Sequence, residues 1–361
     1  MKLQNKYKIA LVGYRLSGGG SDKVMVNLSK YLESLGIEVF VITVLDQGEA
    51  DYGGTYLSTQ QFKVDNGLFG RISRAKALKA FFRKQKFDYI IDFRFRNKII
   101  QELLLAKYVY NAPTVFTVHS WATDHYIPNN KWIAKWMYGK SKAIVTVSKA
   151  IENKLRDIYS FPQLTTIYNP FLPEEFPQRS ECMDSKTILF VGQLDDDTKQ
   201  LEHLLKAFAM SNLKENNAVI RICGTGKKIL YYLSLAKELE IEQHVTFLGF
   251  VSPPYQEMIS AKFLVVCSAF EGFPNVIVEA LNNELPVVSY NLNSGPSEII
   301  QHKKNGLLVD NQSIENLALN MKLFFDDVDL YRVCKSNTRK SVERFSMKNI
   351  GEDWVKLLNL S

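Results

Sequence analysis

The sequence lacks long hydrophobic runs and contains little cysteine. No apolar stretch in its 361 residues approaches the roughly 18 residues needed to span a bilayer, and the first apolar run, KIALV, is too short for a signal peptide. The four cysteines are far apart and form no CxxC pair, so we expect free thiols in a reducing cytosol. With 46% hydrophobic and 23% charged residues, the composition excludes disorder, collagen and a small disulfide scaffold.

Positive charge is concentrated in one half of the chain. Lys and Arg total 45 against 38 Asp and Glu, which gives a formal net charge of +7. Residues 1–180 hold 26 basic and 15 acidic side chains, whereas residues 181–361 hold 19 and 23. The change of sign predicts an anionic partner for the first half, namely nucleic acid, a membrane surface or a phosphorylated substrate. Nucleic acid is disfavoured because no binding motif accompanies the charge.

Short β-rich apolar runs alternate with amphipathic helical segments. Their continuous hydrophobicity is typical of parallel strands buried on both faces, and the alternation predicts a doubly wound α/β fold. The predicted strands are 8–12, 39–44, 89–93, 114–118, 143–147, 187–191, 218–223, 245–249, 263–267 and 286–290.

The length suits two domains of this kind. Residues 171–186 are polar and proline-containing, with no hydrophobic period, which predicts a linker. Beyond them ILFVGQL resembles the opening IALVGYR, as if the fold began again. We therefore expect Rossmann-like domains over 1–170 and 187–344, facing each other so that the carboxyl ends of their strands line one cleft.

Two loops are candidates for phosphate or sugar binding. Gly19 and Gly20 lie between the first strand and a helix, where a backbone can approach a ligand closely and helix N–H groups are available. A plain tight turn is an equal alternative, since the pattern is neither GxGxxG nor a P-loop. Glu271 and Glu279 bracket a second loop, with Asn275 as the predicted helix N-cap. These glutamates could accept hydrogen bonds from sugar hydroxyls. The alternative is that Glu271 is merely solvated and that Glu279 stabilises the helix dipole.

Three polar groups have competing interpretations. Asp195–Asp197 could hold a divalent cation, but they precede a helix, where capping is the better interpretation, and we predict no metal. Lys199 could neutralise a phosphate or simply be solvated. His119 ends a predicted strand and is a candidate for acid–base or substrate contact, with a packed, hydrogen-bonded histidine as the alternative.

Residues 71–86 hold seven cations and no acidic side chain. One helical face is apolar and comprises Ile72, Ala75, Leu78 and Phe82. Such a helix could dock on an anionic membrane through Arg74, Lys79 and Arg83, with Arg94, Arg96 and Lys98 extending the basic character. The alternative is a sheet-covering helix with a solvated basic outer face.

Taken in order, these motifs resemble the retaining, GT-B-fold glycosyltransferases of family 4, the group 1 set, over nearly the whole chain. EGFPNVIVE at 271–279 resembles the family's E-x7-E element, and ILFVGQL, CGTG and VTFLGFV precede it in the expected order. SGPSEII and NGLLV resemble the family's later loops. The resemblance also implies a last helix, about 345–361, that joins the first domain, where acceptors would bind.

The resemblance implies roles for individual residues. His119 and Glu271 would contact the reacting sugar as catalytic residues, without metal or cofactor. The implied donor-binding residues are Gly19, Gly20, Lys199, Gly224, Phe250, Val251, Gly272, Phe273, Pro274, Asn275 and Glu279. Four positions depart from the family pattern. Gln193 replaces a usual arginine, Glu284 replaces a common glycine, and Lys199 lies one residue later than in the shortest family spacing. The fourth and milder change is Asp22, at the position of the family's usual acid after G-G-x. These departures could reduce donor affinity or activity.

We therefore expect a retaining transferase that moves a hexose or N-acetylhexosamine from a nucleotide sugar, with UDP favoured, to a glycan or lipid-linked acceptor in surface-polysaccharide synthesis. One alternative is a catalytically silent, membrane-docked subunit that supports a partner transferase, which Gln193 would favour. Another is a nucleotide-sugar epimerase of the same fold, which needs no acceptor site. The expected location is cytoplasmic, and the basic helix leaves open peripheral attachment to the cytoplasmic face of the inner membrane.

Overall fold

The computed structural model describes residues 7–16, 18–45, 50–62, 68–161, 163–172 and 185–360. The chain divides into two compact units, Met1–Leu172 with Phe345–Ser361 (unit 1) and Pro173–Arg344 (unit 2). Most of the predicted linker, 171–186, lies outside the described residues, as does Cys182. The other three cysteines are buried free thiols: Cys223, Cys267 and Cys334.

Unit 1 is built on a seven-stranded parallel sheet in the order β3-β2-β1-β4-β5-β6-β7. The strands are β1 Lys8–Gly13, β2 Glu38–Thr43, β3 Thr55–Ser58, β4 Tyr89–Asp92, β5 Thr114–Val118, β6 Ala143–Thr146 and β7 Leu164–Thr166. The strand order reverses between β1 and β4. In doubly wound sheets, ligands bind beyond the carboxyl ends of the strands at this reversal, so we refer to that side as the carboxyl edge.

Helices cover both faces of this sheet. Those before residue 160 are α1 Gly20–Ser34, α2 Leu68–Gln85, α3 Ile99–Leu104, which continues as a π-helical turn over Leu105–Val109, α4 Lys131–Tyr138 and α5 Lys149–Ile158. On one face α1 buries its predicted apolar stripe, including Leu28 and Leu32. On the other face Phe82 of α2 packs against Phe87, with ring centroids 5.4 Å apart. Short 3-10 helices lie at Thr59–Phe62 and Thr123–His125.

Unit 2 repeats the plan with a six-stranded parallel sheet in the order β10-β9-β8-β11-β12-β13. The strands are β8 Thr187–Val191, β9 Val219–Cys223, β10 Val245–Gly249, β11 Phe263–Val266, β12 Val287–Tyr290 and β13 Gly306–Val309. The helices are α6 Leu201–Met210, α7 Ile229–Glu238, α8 Tyr255–Ser260, α9 Asn275–Asn282, α10 Pro296–Ile299, α11 Ile314–Asp326 and α12 Val328–Val342. Four 3-10 helices complete the unit: Asp197–Lys199, Leu213–Asn216, Glu242–His244 and, at the boundary, Glu343–Phe345.

The last helix, α13 Met347–Leu358, is part of the unit 1 core. Ser346 caps it by accepting a hydrogen bond from the backbone N–H of Asn349 at 3.4 Å. Trp354 is buried among core residues of unit 1, and glycine is required at position 351 because a Cβ there would lie 2.3 Å from the Tyr31 ring of α1. The chain therefore returns to its first unit after completing the second.

The predicted doubly wound α/β class is confirmed, and each of the ten predicted apolar runs overlaps a strand. The sequence analysis missed β3, β7 and β13. The first two are edge strands of four and three residues in which Leu164 alone is buried, so they carry no continuous apolar run. The third begins at a glycine after a polar turn, within the NGLLV segment, whose resemblance to the family's later loops predicts a loop. Among the described residues, no helix combines the length and hydrophobicity that spanning a membrane requires.

Candidate functional site

At the carboxyl edge of unit 2, the neighbouring strands β8 and β11 bring Lys199 and Glu271 together. Lys199 Nζ lies 2.5 Å from Glu271 Oε1, and the same oxygen accepts a hydrogen bond from Ser268 Oγ at 2.7 Å. The Lys199 side chain is 29% exposed and that of Glu271 13%, so a ligand can reach both. A cation, a carboxylate and a hydroxyl at this edge can bind phosphate oxygens and sugar hydroxyls.

Glycines let the loops beside this pair pack backbone against backbone. A Cβ on Gly224 would lie 1.9 Å from the Gly192 carbonyl oxygen, and one on Gly226 would lie 2.1 Å from the Leu194 carbonyl carbon. The Gly224 N–H donates to the Gly249 carbonyl at 2.7 Å. Larger side chains would push apart the loops after β8 and β9, so these glycines fix the backbone of the two loops at the carboxyl edge.

The loop that follows β11 leads directly into α9. Pro274 is the N-cap and Asn275 the first helical residue, so the prediction that Asn275 caps this helix is wrong. Pro274 lacks the side-chain oxygen that usually caps a helix. The loop after β12 holds the segment before α9 instead, because Ser294 Oγ donates to the Gly272 carbonyl at 2.7 Å. The positive end of α9 therefore points toward the carboxyl edge, where it favours an anion.

Four further predicted donor residues lie near the same edge. Phe273 is buried, Val251 is half-buried and Phe250 is 78% exposed just beyond β10. Glu279 lies one turn into α9 and is half-buried. Together with Gly224 at the end of β9, they place the predicted donor residues of unit 2 along the adjacent ends of β10, β9, β8 and β11.

The aspartates after β8 act in local structure. Asp196 caps the 3-10 helix by accepting from the Thr198 N–H at 2.8 Å. Hydrogen bonding to the Thr198 side chain, and secondarily to its backbone N–H, lowers the pKa of Asp196. Asp195 accepts from the Lys227 N–H at 3.2 Å, and Asp197 pairs with Lys228. Across the described ranges, no three His, Cys, Asp or Glu side chains form a group that could hold a metal ion.

Two departures from the family pattern have visible structural settings. Gln193 is exposed in the loop after β8. Glu284 adopts a left-handed conformation with φ +57 and lies 3.3 Å from Arg339. Because a left-handed conformation costs most residues roughly 1–2 kcal/mol, a glycine is the easier residue at this position.

In unit 1 the glycine loop joins β1 to α1. Gly18 has φ +126, a conformation that favours glycine, and Gly19 precedes the first helical residue, Gly20. Asp22, in the first helical turn, is 8% exposed and lies 3.4 Å from Arg15 Nε. Burial raises the pKa of Asp22, and the Arg15 charge partly opposes that shift. The backbone of this loop therefore lies at the carboxyl edge of unit 1, next to the Asp22 side chain that Arg15 holds in place.

His119 follows β5 at the same edge and its hydrogen bonding determines its tautomer. Thr117 Oγ1 donates its proton to the Asp92 carbonyl at 3.0 Å, so it must accept from His119 Nε2–H, 2.9 Å away. His119 Nδ1 then carries a lone pair and has no hydrogen-bond partner among the described residues. Burial, and secondarily the Arg96 charge, lowers the pKa of His119 to about 3. The ring is therefore neutral at physiological pH.

The expectation that Arg94 and Arg96 extend a basic surface is wrong, since both are 2% exposed. Arg94 pairs with Asp92 at 2.7 Å and Glu102 at 2.9 Å. Arg96 donates to carbonyl oxygens, including that of Thr117 at 2.7 Å, and is surrounded by aromatic rings. The alternation Asp-Phe-Arg-Phe-Arg, which begins at the last residue of the buried strand β4, was the available signal that these charges point inward.

The predicted membrane-contact residues lie on α2, away from the glycine loop and His119 in sequence. Arg83 is exposed, Arg74 is half-buried, and Lys79 lies over the Tyr108 ring at 5.9 Å. The sequence analysis missed α4, which exposes Trp132 and Trp136 by 83% and 58%. Their spacing of four residues, with lysines between and beside them, was the signal that could have found this surface.

Family models match both halves of the chain in order. The model described as Glycosyltransferase Family 4 matches residues 18–175, and that described as Glycosyl transferases group 1 matches residues 173–341. A Campylobacter jejuni N-acetylgalactosamine-N,N'-diacetylbacillosaminyl-diphospho-undecaprenol 4-alpha-N-acetylgalactosaminyltransferase is 27% identical over 97% of this chain and 99% of its own length. An uncharacterized glycosyltransferase of Haemophilus influenzae is 24% identical over 95% and 97%.

Solved structures share the fold. Anabaena HepE in complex with UDP and glucose aligns with a TM-score of 0.80 at 19% identity, covering 98% of this chain and 99% of that one. A mutant of S. aureus TarM in complex with Fondaparinux, alpha-GlcNAc-glycerol and UDP aligns with a TM-score of 0.81 at 15% identity, covering 98% and 100%. The two Rossmann-like units thus have the GT-B architecture, and the matching halves show that this chain belongs to the group 1, family 4 glycosyltransferases.

Proposed function

We propose that this glycosyltransferase moves a hexose or N-acetylhexosamine from a UDP-sugar to a lipid-linked glycan acceptor, with retention of anomeric configuration. The observation that carries the donor half of this proposal is the Lys199–Glu271–Ser268 cluster beside the N-terminus of α9. The acceptor half is supported by the Campylobacter relative, whose name specifies a diphospho-undecaprenol-linked substrate. HepE and TarM have been solved with UDP, which supports the choice of nucleotide.

In this proposal the donor diphosphate binds at the carboxyl edge of unit 2. A phosphate oxygen would replace the Glu271 carboxylate as a partner of Lys199. Glu271 would then accept hydrogen bonds from the hydroxyls of the donor sugar. Glu279 would contact the ribose, and the loop at 249–251 would hold the base. The N-terminus of α9 and the glycines of the edge add backbone donors toward the leaving diphosphate, whose charge grows in the transition state.

The glycine loop and His119 would supply the contribution of unit 1 that the family resemblance implies. Gly19 and Gly20 would approach the diphosphate with their backbone amides. His119 is unsuited to accept a proton from the acceptor at Nε2, because that atom already carries one, and its low pKa disfavours the charged ring. It would act as a neutral contact to the sugar. We propose that the bond from sugar C1 to the diphosphate breaks as the acceptor oxygen attacks on the same face, and that the acceptor proton passes to the leaving diphosphate.

A donor screen tests this function. The full chain is incubated with UDP-, GDP- and ADP-linked hexoses and N-acetylhexosamines, with and without EDTA, and nucleotide release and sugar transfer are measured. We expect a UDP-sugar to be consumed equally well in EDTA. Donor binding without hydrolysis or transfer would favour the silent-subunit alternative, and conversion of the donor to an epimer without transfer would favour the epimerase. Loss of turnover in EDTA would refute metal independence.

We further propose that unit 1 docks on an anionic membrane surface. Helix α4 exposes Trp132 and Trp136, and it packs near the π-helical turn, where Tyr108 is 58% exposed. Neither α2 nor α4 contains an acidic residue. Exposed tryptophans with lysines are typical of proteins that lie in the headgroup region, and each cation near an anionic surface contributes about 1 kcal/mol to binding.

Flotation with liposomes tests the docking. Wild-type protein should float with vesicles that contain phosphatidylglycerol and less with neutral ones. Replacing Trp132 and Trp136 together by serine, or Arg74, Lys79 and Arg83 together by glutamate, should reduce flotation. The matched control replaces exposed leucines of unit 2, Leu233 and Leu319, by serine. Equal flotation of all variants would show that α2 is only a sheet-covering helix.

A further inference from the structure

The buried hydroxyl of Ser268 lies directly beside the Glu271 carboxylate. Ser268 follows β11 and is 1% exposed, and its Oγ donates to Glu271 Oε1 at 2.7 Å. Lys199 Nζ reaches the same oxygen at 2.5 Å. The other carboxylate oxygen, Oε2, has no hydrogen-bond partner among the described residues. The protein therefore holds one oxygen of the Glu271 carboxylate and leaves the other to accept from a ligand or from water.

The segment that follows β11 also fixes the backbone beside Lys199. The Ala269 N–H donates to the Thr198 carbonyl at 2.8 Å, and the buried Cys267 Sγ donates to the Gln200 carbonyl at 3.2 Å. These two bonds hold the backbone on both sides of Lys199. A change of partner by Lys199 therefore requires rotation of its side chain and no movement of the loop.

Donor binding changes which groups hold Glu271. In the proposed function Lys199 turns to a phosphate oxygen, so Glu271 Oε1 loses its cationic partner. The Ser268 hydroxyl is the donor that stays, because it is buried and its position does not depend on the ligand. Without it the donor sugar itself would have to order the flexible glutamate side chain, at a cost in conformational entropy. A carboxylate that is already oriented avoids this cost.

We propose that Ser268 is a positioning residue for sugar transfer, which holds Oε1 of Glu271 so that Oε2 accepts from a hydroxyl of the donor sugar. Ser268 acts through Glu271 and does not itself contact the donor. The sequence analysis did not identify Ser268, which lies three residues before the EGFPNVIVE element. This inference rests on the proposed function and adds a residue to its donor site.

Steady-state kinetics of Ser268→Ala, with the donor identified in the screen, test the inference. The kcat should fall at least about tenfold, which is the effect of losing a hydrogen bond to a charged group. The affinity for UDP, measured by calorimetry, should stay within about threefold of wild type, because UDP carries no sugar for Glu271 to contact.

The matched control is Ser289→Ala on the neighbouring strand β12. Ser289 is as buried as Ser268, but its hydroxyl donates to the backbone carbonyl of Tyr290 at 3.0 Å. This variant should keep kcat within about twofold of wild type. A wild-type kcat in Ser268→Ala, or equal losses in the two variants, would overturn the proposal.

A double-mutant cycle shows whether Ser268 acts through Glu271. In the Glu271→Ala background, the further change Ser268→Ala should alter the single-turnover rate by less than about twofold, because the carboxylate that the hydroxyl holds is gone. The same loss in both backgrounds would mean that Ser268 acts independently of Glu271, and would overturn the proposal.

Two further variants separate the hydroxyl from the packing of the side chain. Ser268→Thr keeps an O–H donor, whereas Ser268→Cys fills nearly the same space with a much weaker donor. The threonine variant should keep kcat within about threefold of wild type, and the cysteine variant should lose at least about fivefold. The reverse order would show that packing is the property that matters, and it would overturn the proposal even if Ser268→Ala fails to fold.

The single variant Glu271→Ala separates this inference from the proposed function. If it transfers sugar at the wild-type rate, the proposed donor site is wrong and the role of Ser268 falls with it. If Glu271→Ala loses transfer while Ser268→Ala keeps it, the donor site stands and the positioning role alone is refuted.

Discussion

The neutral, half-buried His119 makes the stability of unit 1 sensitive to acid. An unfolded histidine has a pKa of about 6.5, whereas burial lowers the pKa of His119 to about 3 in the folded chain. Between these two values the unfolded state binds the additional proton, so the free energy of unfolding falls as the pH falls below about 6.5. The difference between the two pKa values corresponds to a loss of about 2 kcal/mol in the free energy of unfolding at pH 5. Because the residue is partly accessible, we expect a loss of about 1–2 kcal/mol.

His119→Gln should remove this contribution. The glutamine amide can still donate to Thr117, and it does not titrate. Urea unfolding at pH 7 and pH 5 measures the effect, followed by tryptophan fluorescence, because all four tryptophans belong to unit 1. The loss of stability between these pH values should be about 1–2 kcal/mol smaller in the variant than in the wild type. His125→Gln, an exposed position in the same unit, controls for the loss of a histidine from the surface.

NMR of ring-labelled histidine tests the same reasoning directly, since the chain has only five histidines. The His119 signal, assigned by its absence in His119→Gln, should show the Nε2–H tautomer and should not titrate above pH 5. A His119 that titrates near pH 6.5, or that carries its proton on Nδ1, would refute both the hydrogen-bond assignment from Thr117 and the acid sensitivity.

Three further perturbations follow from the packing and the donor site. Gly224→Ala should lower the stability of unit 2 by 2 kcal/mol or more, because its Cβ would overlap the Gly192 carbonyl; an unchanged calorimetric melting temperature would contradict this. Trp354→Ala should cost about 3–5 kcal/mol in unit 1, measured by urea unfolding followed by circular dichroism; a cost below 1 kcal/mol would mean that α13 is not part of that core. Gln193→Arg should tighten UDP binding about tenfold, as a charged hydrogen bond would, and calorimetry that finds no change would place the diphosphate elsewhere.

The fold was predictable because its strands are buried on both faces. Continuous apolar runs such as 114–118 and 263–267 have no competing interpretation once helices alternate with them. The edge strands β3 and β7 could not be found in this way, because half-buried edges do not require apolar sequence. The strand β13 was missed for a different reason, since its polar approach suggested a loop.

The motifs predicted which single residues lie near the site, but not which side chains contact each other there. Glu271 and Lys199 were identified separately, but no spacing rule indicates that residues 72 positions apart form an ion pair, because this depends on β8 and β11 being neighbours in the sheet. The inward direction of Arg94 and Arg96 likewise depends on Asp92, Glu102 and the aromatic rings that surround them.

The rate of sugar transfer by Glu271→Ala tests the central claim most directly. With the donor identified in the screen, initial rates are compared for the wild type, Glu271→Ala and the exposed control Glu238→Ala on α7. Removing a contact that is strongest in the transition state should lower the rate by about 10²–10³-fold, while the control stays within about twofold of wild type. If Glu271→Ala retains the wild-type rate with the same UDP affinity, the carboxyl edge of unit 2 is not where this protein transfers sugar.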